Sequence, residues 1–173
     1  NSWSELIKHN RVRVDYLLHC VPRDGGSWLI AAPHGGGIEP GTTEIAKAIA
    51  GHDLGFYSVE GIKGTGNTAL HITSHRFDEP EFGKIVGLHG RVLAIHGCRD
   101  ADRPSGVSVW VGGADSALAE RTLVALTDLG YQVEREAFAP GTDPGNLCNR
   151  GKSGGGLQLE LSEELRRRFF KDL

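Results

Sequence analysis

The sequence predicts a single α/β domain, residues 1–173, built on a mixed and mostly parallel β-sheet, and three observations support this prediction. Short apolar segments alternate along the chain with segments of helical periodicity, the order that βαβ units produce. The segments 28–32 and 91–95 are almost wholly apolar, as strands covered on both faces are. A chain of 173 residues is long enough for one well-buried core and too short for two.

The strands follow from alternation or from continuous apolarity. Residues 11–17 alternate polar and apolar side chains, which indicates an edge strand with one wet face, and 70–73 and 131–138 alternate in the same way. The predicted strands, in order, are 11–17, 28–32, 54–59, 70–73, 91–95, 107–111, 131–138 and 157–161.

The helices follow from their start and stop signals. Small polar or acidic residues cap a helix N-terminus, and glycine commonly ends it. The signals, in order, are Thr42 or Thr43 with Gly51, 78–80 with Gly90, Asp115 with Gly130, and Ser162 for the last helix.

Composition and charge limit the classes of binding partner that the protein can have. A net charge of -3 gives no support to nucleic-acid binding, and no apolar run approaches the ~20 residues that span a bilayer. The three cysteines lack a C-x-x-C pair and do not indicate a disulfide framework. We expect a monomer, because no heptad repeat is present. A chain that starts at Asn1 and has no methionine is expected to have lost its original N-terminus, so its localisation stays open.

One loop carries the first signal of chemistry. The segment that follows strand 28–32 reads Pro33-His34-Gly35-Gly36-Gly37-Ile38-Glu39, and three successive glycines allow it to turn sharply. His34 and Glu39 suit two ligands on a tight loop, and His96 directly follows strand 91–95. Since ligand sites gather beyond the carboxyl ends of parallel strands, these three residues predict a zinc site with water in the fourth position.

A zinc-activated water needs a base, and Glu160 is the candidate. It lies in strand 157–161 with parity opposite to that of the three leucines. Two interpretations stay open: Glu160 is the general base, or it faces solvent from an edge strand.

A serine hydrolase is the competing interpretation of the glycine-rich motifs. His34-Gly35-Gly36-Gly37 copies an oxyanion loop, and Gly151-Lys152-Ser153-Gly154-Gly155 copies a nucleophile elbow. That fold requires a histidine after the serine, but no histidine follows His96, and Ser153 precedes a strand instead of following one. The order of the motifs excludes this class.

Taken together, the motifs resemble those of the poly-γ-glutamate hydrolase family of bacteriophages and their bacterial relatives. The resemblance covers roughly 14–169 with the motifs in the same order. They are His34-Gly-Gly-Gly-Ile-Glu39-Pro-Gly-Thr-Thr-Glu44, Leu70-His71-Ile72-Thr73-Ser74, Phe77-Asp78-Glu79-Pro80, His96-Gly97, Asn149-Arg150-Gly151 and Gly156-Leu157-Gln158-Leu159-Glu160-Leu161. One departure is the segment Ser74-His75-Arg76-Phe77: the family pattern has a histidine directly before the phenylalanine, whereas this chain has Arg76 there and His75 one position earlier.

The resemblance implies a three-layer α/β/α fold like that of zinc carboxypeptidases, with one zinc per chain. It implies His34, Glu39 and His96 as zinc ligands and Glu160 as general base. It further implies endo-acting hydrolysis of γ-glutamyl amide bonds, with the poly-γ-glutamate polymer as partner.

Several cationic side chains are candidates for contacting the substrate. We expect Arg150 to stabilise the oxyanion or to grip a substrate carboxylate, with Asn149 and Lys152 nearby in sequence. Arg99 and Arg103, downstream of His96, are further candidates for the carboxylates of a polyanion. The strand histidine His71 could line the cleft, but we expect it to be a satisfied polar residue.

Two alternatives remain, because ligands and a base do not define a substrate. In the first, the same zinc centre cleaves peptidoglycan or a peptide C-terminus. In the second, the protein binds zinc or an anionic polymer without turnover.

Overall fold

The computed structural model describes residues 2–23, 25–104 and 106–171, which share one seven-stranded sheet. The strands are β1 (Tyr16–Val21), β2 (Trp28–Gly36), β3 (Gly55–Gly61), β4 (Arg91–Gly97), β5 (Val109–Gly112), β6 (Val133–Arg135) and β7 (Leu157–Leu161). The α-helices are α1 (Trp3–His9), α2 (Thr42–Ala50), α3 (Pro80–Val86), α4 (Ser116–Asp128) and α5 (Glu163–Arg168). None of the helices described is long and apolar enough to cross a membrane.

The sheet is mixed, with a parallel centre. Its strand order is β1-β3-β2-β4-β7-β5-β6, and β3, β2, β4 and β7 run parallel. β1 pairs antiparallel with β3 at one edge, while β5 and β6 run antiparallel to β7 at the other. The predicted α/β class with a mostly parallel sheet is confirmed.

Helices cover both faces of the sheet. Residues of α1 and α3 share one apolar core with Leu29 and Ala31 of β2, whereas residues of α2, α4 and α5 share a second core with Ile30 and Ala32. Alternate side chains of β2 therefore enter opposite cores, which explains why its sequence is continuously apolar. The three-layer arrangement agrees with the expected fold.

Three of the four predicted helix starts are confirmed by their caps. The side chain of Asp115 accepts a hydrogen bond from Leu118 N at 3.0 Å, Ser162 accepts one from Leu165 N at 3.1 Å, and Glu79 accepts one from Phe82 N at 2.6 Å. The exception is α2, whose N-cap is Gly41. Thr42 Oγ1 instead donates to Glu39 O at 2.8 Å, and Thr43 Oγ1 pairs with Ser58 Oγ at 2.7 Å. The α2 threonines thus brace the loop instead of capping the helix.

The predicted strand 70–73 is wrong. A 3₁₀ turn (Asn67–Leu70) leads into an extended connection and a second 3₁₀ turn (Ser74–Arg76), with no sheet partner. The alternation has another cause, because Leu70 and Ile72 are 2% and 1% exposed while His71 and Thr73 are exposed. Alternate side chains of this segment pack into the core, so its sequence shows the two-residue period of a strand without pairing to one.

The first strand also differs from its predicted bounds. β1 begins at Tyr16, and the preceding residues form a turn in which Asp15 N donates to Arg11 O at 2.8 Å. Val12 and Val14 are 50% and 52% exposed, so the apolar half of the alternation faces no core. The prediction of an edge strand is correct, but its position is not. Strand 131–138 is likewise shorter, since pairing covers only Val133–Arg135.

Candidate active site

The predicted site residues meet at the carboxyl ends of three neighbouring parallel strands. His34 lies near the end of β2, and His96 lies near the end of β4, directly beside Glu160 of β7 in the register of the sheet. Paired residues of neighbouring strands project to the same face, so His96 and Glu160 face the same side. Glu39 enters from the loop between β2 and α2.

This loop is tight because glycine permits contacts that no side chain could. The pairing of β2 with β3 shifts register between Ala32 and Gly35, and a Cβ at Gly35 would lie 1.9 Å from Thr43 Oγ1. The backbone then closes, with Glu39 N donating to His34 O at 2.8 Å. The loop thereby turns the Glu39 carboxylate back toward the His34 ring.

Three side chains converge on a common point. His34 Nδ1 lies 3.0 Å from Glu39 Oε1 and 3.2 Å from His96 Nδ1, and His96 Nδ1 lies 3.7 Å from Glu39 Oε2. Ligand atoms held at zinc-like distances around one tetrahedral ion are about 3.3–3.6 Å apart. The observed spacing and the donor set therefore fit a metal ion of this kind.

The opposite ring nitrogens fix the orientation of both imidazoles. His34 Nε2 donates to Ile72 O at 2.8 Å, and since a carbonyl can only accept, this nitrogen carries a proton. His96 Nε2 lies 3.3 Å from Ser74 Oγ. Such outer hydrogen bonds typically hold metal-ligating histidines with the other nitrogen turned inward.

His71 joins this group, although it was expected to be a satisfied polar residue of a strand. Its ring stacks on His34 at a centroid distance of 3.9 Å, and its Nε2 lies 3.9 Å from Glu39 Oε1. His34, Glu39 and His71 form a group that could hold a metal ion. The His71 side chain is 43% exposed, whereas His34 and His96 are buried. The false strand at 70–73 obscured this placement.

The carboxylates and imidazoles strongly perturb one another. Burial alone would raise the pKa of Glu39, but the charges and hydrogen bonds of His34 and His96 hold it well below its usual range. Burial would lower the pKa of His96, but its hydrogen bond to the Glu39 carboxylate and the charges of Glu160 and Glu39 raise it. Burial and then the charge of His34 lower the pKa of His71 to about 4.

Glu160 is in the interior of the sheet. β7 lies between β4 and β5, so the interpretation of Glu160 as a residue of an edge strand is wrong. Burial raises the pKa of Glu160, and although the charges of His96 and Arg103 oppose this rise, the net shift is upward. A carboxylate with a raised pKa holds a proton more readily, as a general base must.

Arg103 lies beside Glu160, but its charge is already paired. Its Nη2 is 4.0 Å from Glu160 Oε2, while its Nη1 is 2.7 Å from Glu136 Oε2. The guanidinium also lies over the rings of Trp110 and Phe138, at 4.9 and 5.5 Å from their centroids. These contacts hold Arg103 as a neighbour of Glu160.

The structure does not bring Arg150, Asn149 and Lys152 to the cluster. Arg150 Nη1 donates to Phe77 O at 2.5 Å, and its guanidinium lies 5.1 Å from the Phe82 ring centroid. Asn149 is buried and organises its own loop, for example by donating to Asp143 O at 2.8 Å.

Lys152 lies at the amino end of β4, far from the predicted ligands. Its Nζ is 3.3 Å from Leu88 O, and its backbone N–H donates to His89 O at 3.0 Å. Proximity in sequence to Arg150 therefore did not translate into proximity to the site.

The cluster lies where two cavities meet. The smaller, about 430 Å³, contains His34, His96 and Glu160 and is bordered by loop 139–143. The larger, about 660 Å³, extends past Gly97 toward α5 and includes Arg99 on its wall. Glu39, His71 and Thr73 line both. We refer to these two adjoining cavities, which share Glu39 and His71, as the groove.

Fold and site together define a three-layer α/β protein with a candidate His/Glu metal centre in an open groove. The chain belongs to the poly-gamma-glutamate hydrolase family, whose sequence model matches residues 1–173.

Two solved structures resemble the chain closely. A bacteriophage poly-gamma-glutamate hydrolase is 32% identical, with a TM-score of 0.90 over 98% of this chain and 81% of that one. The zinc-free apo form of YndL is 33% identical, with a TM-score of 0.85 over 95% of this chain and 80% of that one.

Curated relatives come from Bacillus subtilis (strain 168). UPF0714 protein YndL is 35% identical over 170 residues, which cover 96% of this chain and 65% of the relative. The SPbeta prophage-derived UPF0714 protein YoqZ is 37% identical over 169 residues, covering 96% of this chain and 60% of the relative. The chain thus spans less than two thirds of the length of these relatives.

Proposed function

We propose that the protein is a zinc-dependent hydrolase of γ-glutamyl amide bonds in poly-γ-glutamate and that it cuts within the polymer. The observation that carries this proposal is the convergence of two buried imidazoles and a carboxylate beside Glu160 in an open groove. Membership of the family and the zinc-free description of YndL support both the substrate and the metal.

In this proposal His34, Glu39 and His96 hold one zinc ion per chain. Zinc bound there would supply Lewis acidity toward water and the amide carbonyl. His96 is preferred over His71 as the third ligand because it is buried and its outer nitrogen faces Ser74. His71 is half-exposed and lines both cavities, and in this proposal it would face the substrate.

Glu160 moves the proton. It accepts a proton from the attacking water as the water oxygen bonds to the amide carbon, and it delivers that proton to the departing nitrogen as the C–N bond breaks. Its raised pKa suits a group that must hold the proton between the two steps. Arg103, held by Glu136, would keep the Glu160 carboxylate in place.

The groove supports cleavage within the chain. An exo-acting enzyme needs a closed end that recognises a terminus, whereas cavities lie on both sides of Glu39 here. Arg99, whose Nε lies 3.9 Å from Asp102 Oδ2 on the exposed rim, remains a proposed contact for substrate carboxylates.

Three polymers test the proposed substrate. The zinc-loaded protein is incubated with γ-linked polyglutamate, α-linked polyglutamate and peptidoglycan, and their size distributions are followed. Shortening of the γ-linked polymer alone is expected. Shortening of peptidoglycan or the α-linked polymer instead would favour the alternative, in which the same zinc centre cleaves another amide bond. Shortening of none of the three would contradict every enzymatic function considered above.

A further inference from the structure

The larger cavity contains a buried arginine that no step above uses. Arg166 of α5 is 3% exposed, and each of its three guanidinium nitrogens donates to a main-chain carbonyl. Its Nε donates to Leu161 O at 3.2 Å, its Nη2 donates to Cys98 O at 2.9 Å, and its Nη1 donates to Pro40 O.

The charge of Arg166 has no acidic partner among residues 2–23, 25–104 and 106–171. The other two arginines of this cavity differ, since Arg99 is paired with Asp102 and Arg167 Nη2 lies 2.6 Å from Glu163 Oε1. Three of the five N–H groups of Arg166 donate to carbonyls, and in the described part of the chain the other two have no hydrogen-bond partner. Burying a cation whose N–H donors lack acceptors is unfavourable unless an anion binds to them.

Arg166 is also next to the candidate metal centre. Gly97 N donates to Glu39 Oε2 at 2.8 Å, and a Cβ at Gly97 would come within 2.6 Å of Arg166 Cζ. Pro40, whose carbonyl binds Arg166, directly follows Glu39. An anion bound at Arg166 would therefore lie next to a group reacting at the metal centre.

We propose that Arg166 forms the floor of a carboxylate-binding subsite, with Arg99 and Arg167 on its rim. Its ligand is the free α-carboxylate that each γ-linked glutamate unit carries, on one side of the bond to be cut. This inference rests on the proposed function and deepens it. The glycine at position 97 makes room for this guanidinium, because any larger residue would place a Cβ 2.6 Å from Arg166 Cζ.

The test compares two oligomers of equal length, γ-linked glutamate and the same chain with its α-carboxylates converted to carboxamides. For Arg166→Gln we expect kcat/KM for the charged oligomer to fall by about 10- to 100-fold, the worth of a hydrogen bond to a charged group, and the neutral oligomer to change much less. Arg166→Lys, which keeps the charge, should restore much of the preference. An equal fall for both oligomers would show that Arg166 merely braces the fold.

Arg168→Gln is the matched control. Arg168 is on the same helix and exposed, its Nη2 binds Glu164, and it lines a different cavity. Its substitution should leave the ratio of kcat/KM for the charged oligomer to kcat/KM for the neutral oligomer unchanged. If Arg166→Gln does not fold, the double variant Arg99→Gln/Arg167→Gln, which is altered only at the exposed rim, replaces it. The subsite predicts that this double variant lowers the same ratio of kcat/KM values, and an unchanged ratio would reject the subsite.

A binding measurement separates this proposal from the proposed function. The charged oligomer is titrated calorimetrically into zinc-loaded Glu160→Gln protein, with and without Arg166→Gln. The subsite predicts that affinity for the charged oligomer falls by about 10-fold or more with the second substitution, even if the wild type hydrolyses neither oligomer. Equal affinities would overturn the subsite and leave the proposed hydrolysis untouched.

Discussion

At the scale of single residues, Glu160 separates zinc binding from proton transfer. It lies beside His96 in the sheet register but outside the set of ligand atoms around Glu39. In the variant Glu160→Gln we expect zinc content to stay at about one per chain, because the ligands are intact, while kcat falls by about 10²–10⁴-fold. Metal analysis and initial rates on the same preparation check this, and unchanged turnover would remove Glu160 from the mechanism.

The ion pair between Glu136 and Arg103 makes the stability of the folded protein depend on the ionisation of Glu136. Burial would raise the pKa of Glu136, but the Arg103 hydrogen bond and the backbone N–H groups of Phe138 and Ala139 lower it. Because the folded pKa is the lower one, the carboxylate stabilises the protein above its usual pKa, and this contribution is lost as pH falls through the folded value.

Glu136→Gln should therefore lower the free energy of unfolding by about 1–3 kcal/mol at pH 7, and the difference from wild type should shrink below pH 4. Urea unfolding between pH 3 and pH 7 measures it. The control is Glu81→Gln, which removes an exposed partner of Lys84 and should change little at any pH. A difference that stays constant with pH would show that the stabilisation does not come from the ionised Glu136 carboxylate.

The sequence predicted the positions of site residues correctly where one physical rule, the meeting of parallel strand ends, determined them. His34, Glu39 and His96 do lie together, because the ends of parallel strands meet at one edge of the sheet. His71 was considered for the cleft but not for the ligand group, since its alternation mimicked a strand. Arg150 was expected near the substrate, but which way a loop side chain points depends on tertiary contacts such as Phe82.

At the scale of elements, the β2–α2 loop depends on close packing of small residues. Gly35→Ala would place a Cβ 1.9 Å from Thr43 Oγ1 and 2.8 Å from Ser58 Oγ, both of which are buried. We expect a loss of about 1–3 kcal/mol in unfolding free energy, together with weaker zinc binding because Glu39 shifts. Gly64→Ala, where a Cβ meets nothing within 4 Å, should be nearly neutral in both assays. Equal stability of the two variants would refute this view of the loop.

Elements were predictable where burial and caps agreed. β2 and β7 followed from continuous or alternating apolarity, and α4 followed from its Asp115 cap. Helix α1 was missed. The 70–73 segment misled because contact with the core can impose a period of two without a neighbouring strand.

At the scale of the whole molecule, the groove predicts how product size changes with time. With cavities on both sides of the cluster, cuts should fall inside the polymer. Size-exclusion chromatography of a digest of narrow-range γ-polyglutamate should show mean length falling before free glutamate accumulates. Release of glutamate from the first minutes, with the long polymer persisting, would indicate exo cleavage.

The strand order could not be read from the sequence. A parallel centre follows from the alternation of elements, but the insertion of β7 between β4 and β5 depends on long-range pairing that leaves no local pattern. That insertion places Glu160 beside His96, so the central feature of the site is a property of topology.

The most direct test is a crystal of the zinc-loaded protein with anomalous data collected at the zinc edge. We expect one strong peak about 2.0–2.2 Å from His34 Nδ1, His96 Nδ1 and a Glu39 carboxylate oxygen. A peak bound by His71 in place of His96, or no peak at this cluster, would contradict the proposed metal centre.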